Sequence, residues 1–462
     1  MTADDLVSLR RDLHRKPEPA WREFYTTARI VDELESRLGD DLAELHVGPE
    51  AIAGNHRMAV PDDADLTHWY EQARDAGVDK TVLERLEGGY TGAVAVLERG
   101  EGPTVGLRVD IDGLPRRESD ALDHAPVAEG FRSEHEGAMH ACGHDAHATI
   151  GIGVLEAIAD DGERLDGERE RTERDPHRNA ERSEEESRSS SEQGSDGDFS
   201  GTLKVFFQPA EEVVGGGKSM AESEHIRDID ALLAVHIGLD HPTGEVVAGI
   251  DGFLAVSHLE AEFTGESAHA GGHPEQGRNA VQAMATAVQN LYGIPRHNDG
   301  KTRVNAGVVE GGSAANVIPD EARILAEVRG ETTELMEYMK GRTRQVVRSA
   351  AEMHDCEVSF ETGAEAPSAT SDEELVSIVA DIAGETPGVD RVLERDELGG
   401  SEDATFLMRA VQENGGHACY VGVGTDHPGG HHTATFDVDE DSIQHGIDVL
   451  AGSLEEISRQ QV

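Results

Sequence analysis

Residues 139–147 read MHACGHDAH and place His140, Cys142, His144, Asp145 and His147 on one short stretch. Imidazole, thiolate and carboxylate are the donors that bind borderline-soft divalent cations such as zinc. Gly143 separates Cys142 from His144, and a residue without Cβ lets the backbone fold tightly enough for both side chains to reach one point. A histidine-rich surface loop is the competing reading. The other polar groups at predicted strand ends favour chemistry.

Glu211 and Glu212 follow the apolar run LKVFF and Pro209. On an extended backbone successive side chains point to opposite faces, which predicts a division of labour. One carboxylate would bind metal and the other would face a water as general base. His236 closes the apolar run ALLAVHIG, and His432 follows Gly430 and His431 near the C-terminus. A lone histidine at a strand end is more often a satisfied core residue, so His236 draws its weight from the others. Cys142, His144, Glu212, His236 and His432 together suit two divalent ions sharing a thiolate and a water better than one closed structural site. Farther along, GESAHAGGHP presents His269, AANVIP presents Asn316 and EVRG ends on Arg329. Such groups can hydrogen-bond an oxyanion or pair with a substrate carboxylate, which arginine matches bidentately.

These positions must be held by elements the sequence also predicts. Leu6, Leu9 and Leu13, then Ile30, Leu34 and Leu38, have helical spacing and predict a helical segment over about 4–38. Strands are expected at 91–97, 104–109 and 203–207, with a buried helix over 150–158. That alternation predicts an α/β sheet with its site on loops at strand ends. From Gly252 the order changes to β-α-β-β-α-β, closing at 357–361, the pattern of a ferredoxin-like α+β layer. After Ala366 the chain returns to α/β character. The expected domains are a catalytic unit split between 1–251 and 367–462 around an inserted unit, 252–366. Within 164–198 only Leu165 and Ala180 are apolar, which predicts an exposed, mostly disordered insertion.

Composition narrows the setting. A chain of 462 residues exceeds one compact core, and 37% hydrophobic residues can fill two or three. Acidic residues number 93 against 40 basic ones, a net charge of −53, and lysines are confined to six positions. Self-repulsion of that size destabilises a compact fold at ordinary ionic strength, but at molar salt the Debye length falls to ~3 Å. An acidic chain using arginine for lysine therefore predicts a salt-rich cytosol, as in a halophile. A nucleic-acid partner is excluded for want of a basic face. Three cysteines, Cys142, Cys356 and Cys419, argue against a disulfide framework. No stretch approaches the ~20 apolar residues of a membrane span, and the first residues lack the apolar core of a signal peptide. The expectation is a cytoplasmic protein without membrane association.

The segments RVDIDGLP, MHACGHDAH, VFFQPAEE, VHIG, ESAHAGGHPEQGRNA, NVIP, GSEDAT and HHTATFDVDE resemble the M20 metallopeptidase family. The resemblance is to its amidohydrolase branch, with indole-acetyl-amino-acid and hippurate hydrolases. NHRMAVPDD, EGGYTGAVA, IPRH, ARILAEVRG and LGGSEDATFLM resemble above all one of the two subunit types of aminobenzoyl-glutamate hydrolase. The resemblance implies an α/β fold: a split, phosphorylase/hydrolase-like catalytic domain with an inserted ferredoxin-like lid and dimerisation domain. It implies that Cys142, His144, Glu212, His236 and His432 hold two divalent ions, zinc or manganese, and that Glu211 is general base and acid. His269 would stabilise the oxyanion, often from a partner protomer, and Asn316 and Arg329 would take the substrate carboxylate. Asp110, Asp112, Asp145, Glu402 and Asp403 would orient the ligands. The implied activity is hydrolysis of the amide bond of a small N-acyl amino acid, N-aroyl and aminobenzoyl-glutamate-like. A dipeptidase or deacetylase using the same metals is one alternative, and an inactive subunit of a hydrolase heterodimer is another. The implied assembly is a homodimer through the lid domain, or a pair with a related subunit.

Overall fold

The computed structural model describes residues 2–174, 199–427 and 429–461. Six strands come first: β1 (Leu42–Val47), β2 (Ala93–Arg99), β3 (Thr104–Asp110), β4 (Gly201–Gln208), β5 (Ala231–Ile237) and β6 (Glu245–Asp251). Then follow β7 (Ala255–Thr264), β8 (Ala268–His269), β9 (Thr302–Gly311), β10 (Val317–Ile318), β11 (Glu321–Gly330) and β12 (Glu357–Ala366). The last two are β13 (Arg391–Glu397) and β14 (His417–Val423).

One sheet has eight strands in the order β1-β2-β4-β3-β5-β14-β6-β13. Its middle, β4-β3-β5-β14, is parallel throughout. Every residue of β5 is buried, as expected of a parallel strand covered on both faces. Helices His144–Arg174 and Asp441–Gln460 pack on each other and over β3. Helix Ala404–Glu413 packs over β14 and β5. The second sheet is antiparallel, in the order β12-β7-β11-β9, and carries helices Ala280–Leu291 and Thr333–Met353. It is drawn wholly from the chain between β6 and β13, so the β-α-β-β-α-β order read from the sequence is the observed one. The fold is mixed α/β.

The carboxyl ends of the parallel strands meet at one place, where open α/β sheets put their ligands. Asp110 ends β3, the 209–212 turn follows β4, His236 is next to last in β5, and the loop after β14 carries His431 and His432.

Two expectations change. The helical stretch over 4–38 is two helices, Ala3–Arg15 and Phe24–Arg37. Pro17 and Pro19 interrupt it because proline cannot donate to a helix interior, and Trp21 between them and the second helix has φ 64°. Helix His144–Arg174 runs into the tract expected to be a disordered insertion. The remainder of that tract, 175–198, lies outside the described residues. Among the described residues no helix is long and apolar enough to cross a membrane.

Candidate metal centre and its cleft

Five predicted donors converge. The donor atoms of Cys142, His144 and His236 lie within 4.8 Å of one another, and so do those of Cys142, Glu212 and His432. Cys142 belongs to both triads. His144, Glu211 and Glu212 form a third group of the same size.

Local backbone geometry explains the convergence. Gly143 has φ 88°, and a Cβ there would meet Ile237 Cγ2 at 2.5 Å; only glycine allows Cys142 and His144 to approach β5 so closely. His432 is itself left-handed, with φ 59°, and its amide donates to the Ala141 carbonyl at 2.8 Å. This ties the C-terminal loop to the Cys142 segment. Glu211 and Glu212 are not on extended backbone, as their place after a strand had implied. Ala210 takes φ 59°, the strand breaks, and both carboxylates turn into the same cleft. Asp112 accepts the amides of Glu211 and Glu212 at 3.0 and 3.1 Å.

The ring nitrogens sort the histidines. His236 Nδ1 donates to the Ile237 carbonyl at 2.7 Å, which leaves the Nε2 lone pair 3.3 Å from Cys142 Sγ. His147 uses both nitrogens: Nδ1 donates to Asp110, and Nε2 accepts from the Ile237 amide at 2.8 Å. His147 therefore has no lone pair to offer a metal, and it positions β5 against β3. His144 has neither nitrogen in an aligned hydrogen bond although both are buried, and Glu212 Oε1 is in the same state. Buried polar atoms without partners are rare in folded proteins, and here His144 Nε2 and Glu212 Oε1 lie 3.9 Å apart.

The charge balance asks for cations. Burial and the nearby Glu212 and Glu211 carboxylates push the Cys142 thiol well above its ordinary range. Burial opposes charge on His144, yet Asp110, Asp112 and Glu212 raise it to about 10. Burial, Glu402 and Glu212 hold Glu211 well above the usual carboxylate range, and burial lifts Glu212 to about 8 against the pull of His144. A thiol, imidazoles and crowded carboxylates that lack positive charge fit divalent metal binding.

One buried cation supports this cluster. Arg108, fully buried in β3, donates Nη1 to Asp110 at 2.8 Å, Nη2 to Glu402 at 3.0 Å and Nε to Gln208 at 2.9 Å. Gln208 passes a 2.6 Å hydrogen bond to Asp403, whose other oxygen accepts the amides of Gly216 and Gly217. Tyr420 donates to Glu402 at 3.0 Å. Asp110, Asp112, Glu402 and Asp403, expected from the sequence as orienting groups, are all buried beside the cluster. Arg108, Gln208 and Tyr420 were not singled out. A lone arginine inside the apolar strand TVGLRV was the one available signal.

Asp145 lies behind the cluster rather than in it. Its Oδ2 pairs with Arg10 and accepts from His14 Nδ1, both at 2.8 Å. His14 Nε2 also donates to Glu118 at 3.2 Å. Burial and Arg10 work against a charged His14, but Asp145 and Glu118 outweigh them and lift it to about 9. A folded-state value above the ordinary 6.5 gives stability that is fully present below pH 6.5 and lost as pH rises through about 9. His14→Gln is expected to remove about 3 kcal/mol of this stability at pH 6. It should also flatten the fall between pH 6.5 and 9, as read from urea midpoints in molar salt. An unchanged pH slope would refute the linkage.

The cleft has a volume of about 710 Å³ and is lined by Cys142, Glu211, Glu212, His236, His432 and, toward the second sheet, Arg329. Arg329 is held bidentately by Glu327, at 2.7 and 3.1 Å, and reaches Ser401 at 3.4 Å. His269 and Asn316 are brought together on the β8–β10 pair, where the Ala270 amide donates to the Asn316 carbonyl at 3.0 Å. Neither lines the cleft. His269 Nδ1 accepts from the amides of Gly271 and Gly272 at 3.1 and 3.0 Å, which leaves Nε2–H exposed as a donor.

Residues 106–186 and 189–456 match the model of peptidase family M20/M25/M40. The chain is 36% identical to the indole-3-acetyl-aspartic acid hydrolase of Enterobacter agglomerans, over 97% of this chain and 94% of that one. It is also 36% identical to a p-aminobenzoyl-glutamate hydrolase subunit of Escherichia coli (strain K12), over 97% and 95%. The solved aminobenzoyl-glutamate utilization protein of Klebsiella pneumoniae superposes with a TM-score of 0.77 at 30% identity, over 100% of this chain and 98% of that one. With its motifs intact, a family match over most of residues 106–456 and relatives aligned over 97% of its length, the chain belongs to peptidase family M20/M25/M40.

Proposed function

We propose that the protein is a metal-dependent amidohydrolase that cleaves the amide bond of an N-acyl amino acid, with N-aroyl substrates of the aminobenzoyl-glutamate type foremost. The observation that carries this reading is Cys142 at the junction of two donor triads. Cys142, His144, Glu212, His236 and His432 would hold two divalent ions, zinc or manganese, with the thiolate shared. Such ions supply Lewis acidity to an amide carbonyl and to an attacking water. Relatives that hydrolyse indole-acetyl and aminobenzoyl conjugates share 36% of their residues with this chain, which supports the substrate class.

The chain's own groups then divide the work. Glu211, buried and with a raised pKa, accepts the proton of the attacking water and delivers it to the leaving amine. Arg108, through Asp110 and Glu402, keeps the carboxylates around it in place. Arg329 marks the end of the cleft that takes the substrate carboxylate. Residues 252–366 act as a lid and dimerisation unit between the catalytic segments 1–251 and 367–462. His269 and Asn316 stand outside their own cleft, so a second copy of the chain, or a related subunit, would bring them to a bound substrate. The setting is the salt-rich cytosol of a halophile.

The test is the purified chain alone, at molar salt with added zinc or manganese, offered hippurate, aminobenzoyl-glutamate, acetylated amino acids and dipeptides. Turnover of the N-acyl amino acids, abolished by a chelator and restored by metal, is the expected result. Preference for dipeptides would move the substrate class, and inactivity of the metal-loaded chain would favour an obligate partner subunit. Thermal unfolding of the same sample should shift to markedly lower temperature when salt falls from molar to ~0.1 M, where the Debye length grows to ~10 Å. A melting temperature independent of salt would contradict the halophilic reading.

A further inference from the structure

We propose that Glu23 is a positioning residue for Glu211, whose carboxylate holds the left-handed turn that aims the Glu211–Glu212 pair into the cleft. The proposal rests on the amidohydrolase reading above and adds to it a residue from the N-terminal segment. Glu23 is completely buried. Its Oε1 accepts from the amide of Ala210 at 2.8 Å and from the amide of Trp21 at 3.0 Å. Its Oε2 accepts from the Thr91 hydroxyl at 2.6 Å.

Both amides on Oε1 belong to non-glycine residues in the left-handed region, Ala210 at φ 59° and Trp21 at φ 64°. A residue with a Cβ occupies that region at an energetic cost and stays there only when its surroundings over-determine it. Ala210 directly precedes Glu211, and its carbonyl accepts the amides of Gly215 and Gly216 at 2.9 and 3.3 Å. The turn from Ala210 to Gly216 therefore closes on the very residue that Glu23 holds. Asp112 fixes the amides of Glu211 and Glu212 from another side, and Asp403 fixes those of Gly216 and Gly217. Of these three supports, Glu23 sets the backbone reversal itself. A shift of about 1 Å in a catalytic group lowers turnover by as much as ~10²-fold, so the hold bears on rate before it bears on binding.

The test compares Glu23→Gln with Glu23→Asp in the full-length protein at molar salt. Glutamine keeps the length and an accepting oxygen but not the carboxyl group. Aspartate keeps the carboxyl group but is one methylene too short to reach the Ala210 amide and Thr91 together. If geometry governs, Glu23→Gln retains kcat within about threefold of the wild type. Glu23→Asp loses about 10- to 100-fold in kcat, with KM and bound cobalt unchanged. Backbone amides of residues 209–217 should exchange with deuterium faster in Glu23→Asp than in Glu23→Gln. Wild-type kcat and exchange in Glu23→Asp, or a loss in Glu23→Gln as large as in Glu23→Asp, would overturn the proposal. If Glu23→Gln fails to fold, Glu23→Asp alone decides it. If the wild type turns over no N-acyl amino acid, the amidohydrolase reading falls, while the exchange comparison still tests whether Glu23 holds the turn.

Discussion

Glu211→Gln is expected to lower kcat by about 10³-fold or more while leaving bound metal unchanged. The substitution keeps size and hydrogen-bonding reach but removes the atom that takes the proton. The site prepares Glu211 for that task. Burial with Glu402 and Glu212 nearby raises its pKa well above the usual range, which makes it a stronger base. It also shares a group of acidic side chains with Asp110 and Glu402, their oxygens within 4.8 Å of one another. Neither is free to replace it, because Asp110 accepts from Arg108 and His147 and Glu402 from Arg108 and Tyr420. Metal analysis together with steady-state kinetics checks the prediction. Retained turnover in the metal-loaded variant would remove Glu211 from the mechanism.

Arg108→Met is expected to cost about 3–5 kcal/mol of folding stability, the usual effect of removing one partner from a buried ionic cluster. Methionine fills much of the volume, so the loss is electrostatic. Asp110 and Glu402 would keep their burial and lose their common cation. Asp403 makes the point independently: burial already raises it to about 8, and Arg108 is the group that restrains the rise. A loss of this size is a large fraction of the total stability of a folded domain. Urea unfolding of the metal-free protein at molar salt measures it. A change below about 1 kcal/mol would show that the cluster tolerates the missing charge.

Much of the site was legible because its residue types are costly anywhere else. Cysteine, histidines and glycine at MHACGHDAH specified two donors and the tight bend at Gly143 between them. His236 gained its meaning from lying at the end of a fully apolar strand. The second sheet was legible because its strands and helices follow one another locally, from Ala255 to Ala366. β13, with sequence RVLERDE, escaped notice because it has little apolar alternation and pairs with a strand laid down much earlier in the chain.

The remainder depended on contacts that no local pattern encodes. Arg108 meets Glu402 across 294 positions, and Glu23 meets Ala210 across 187. Alanine at φ 59° carries no sequence signature, so the pair Glu211–Glu212 read as strand-like rather than as a turn. The run Gly215–Gly216–Gly217 was the nearest hint that the backbone there is tightly folded. Arg329 followed its motif into the cleft wall, and its bidentate partner Glu327 lies two residues earlier on the same strand, β11.

The central claim is a shared thiolate between two metal positions, and cobalt substitution tests it most directly. Titration of the metal-free chain at molar salt should saturate at two equivalents, with a thiolate-to-cobalt charge-transfer band that grows over both. Cys142→Ser should abolish the band and weaken both sites together. Saturation at one equivalent, or loss of only one site on removing Cys142, would contradict the account.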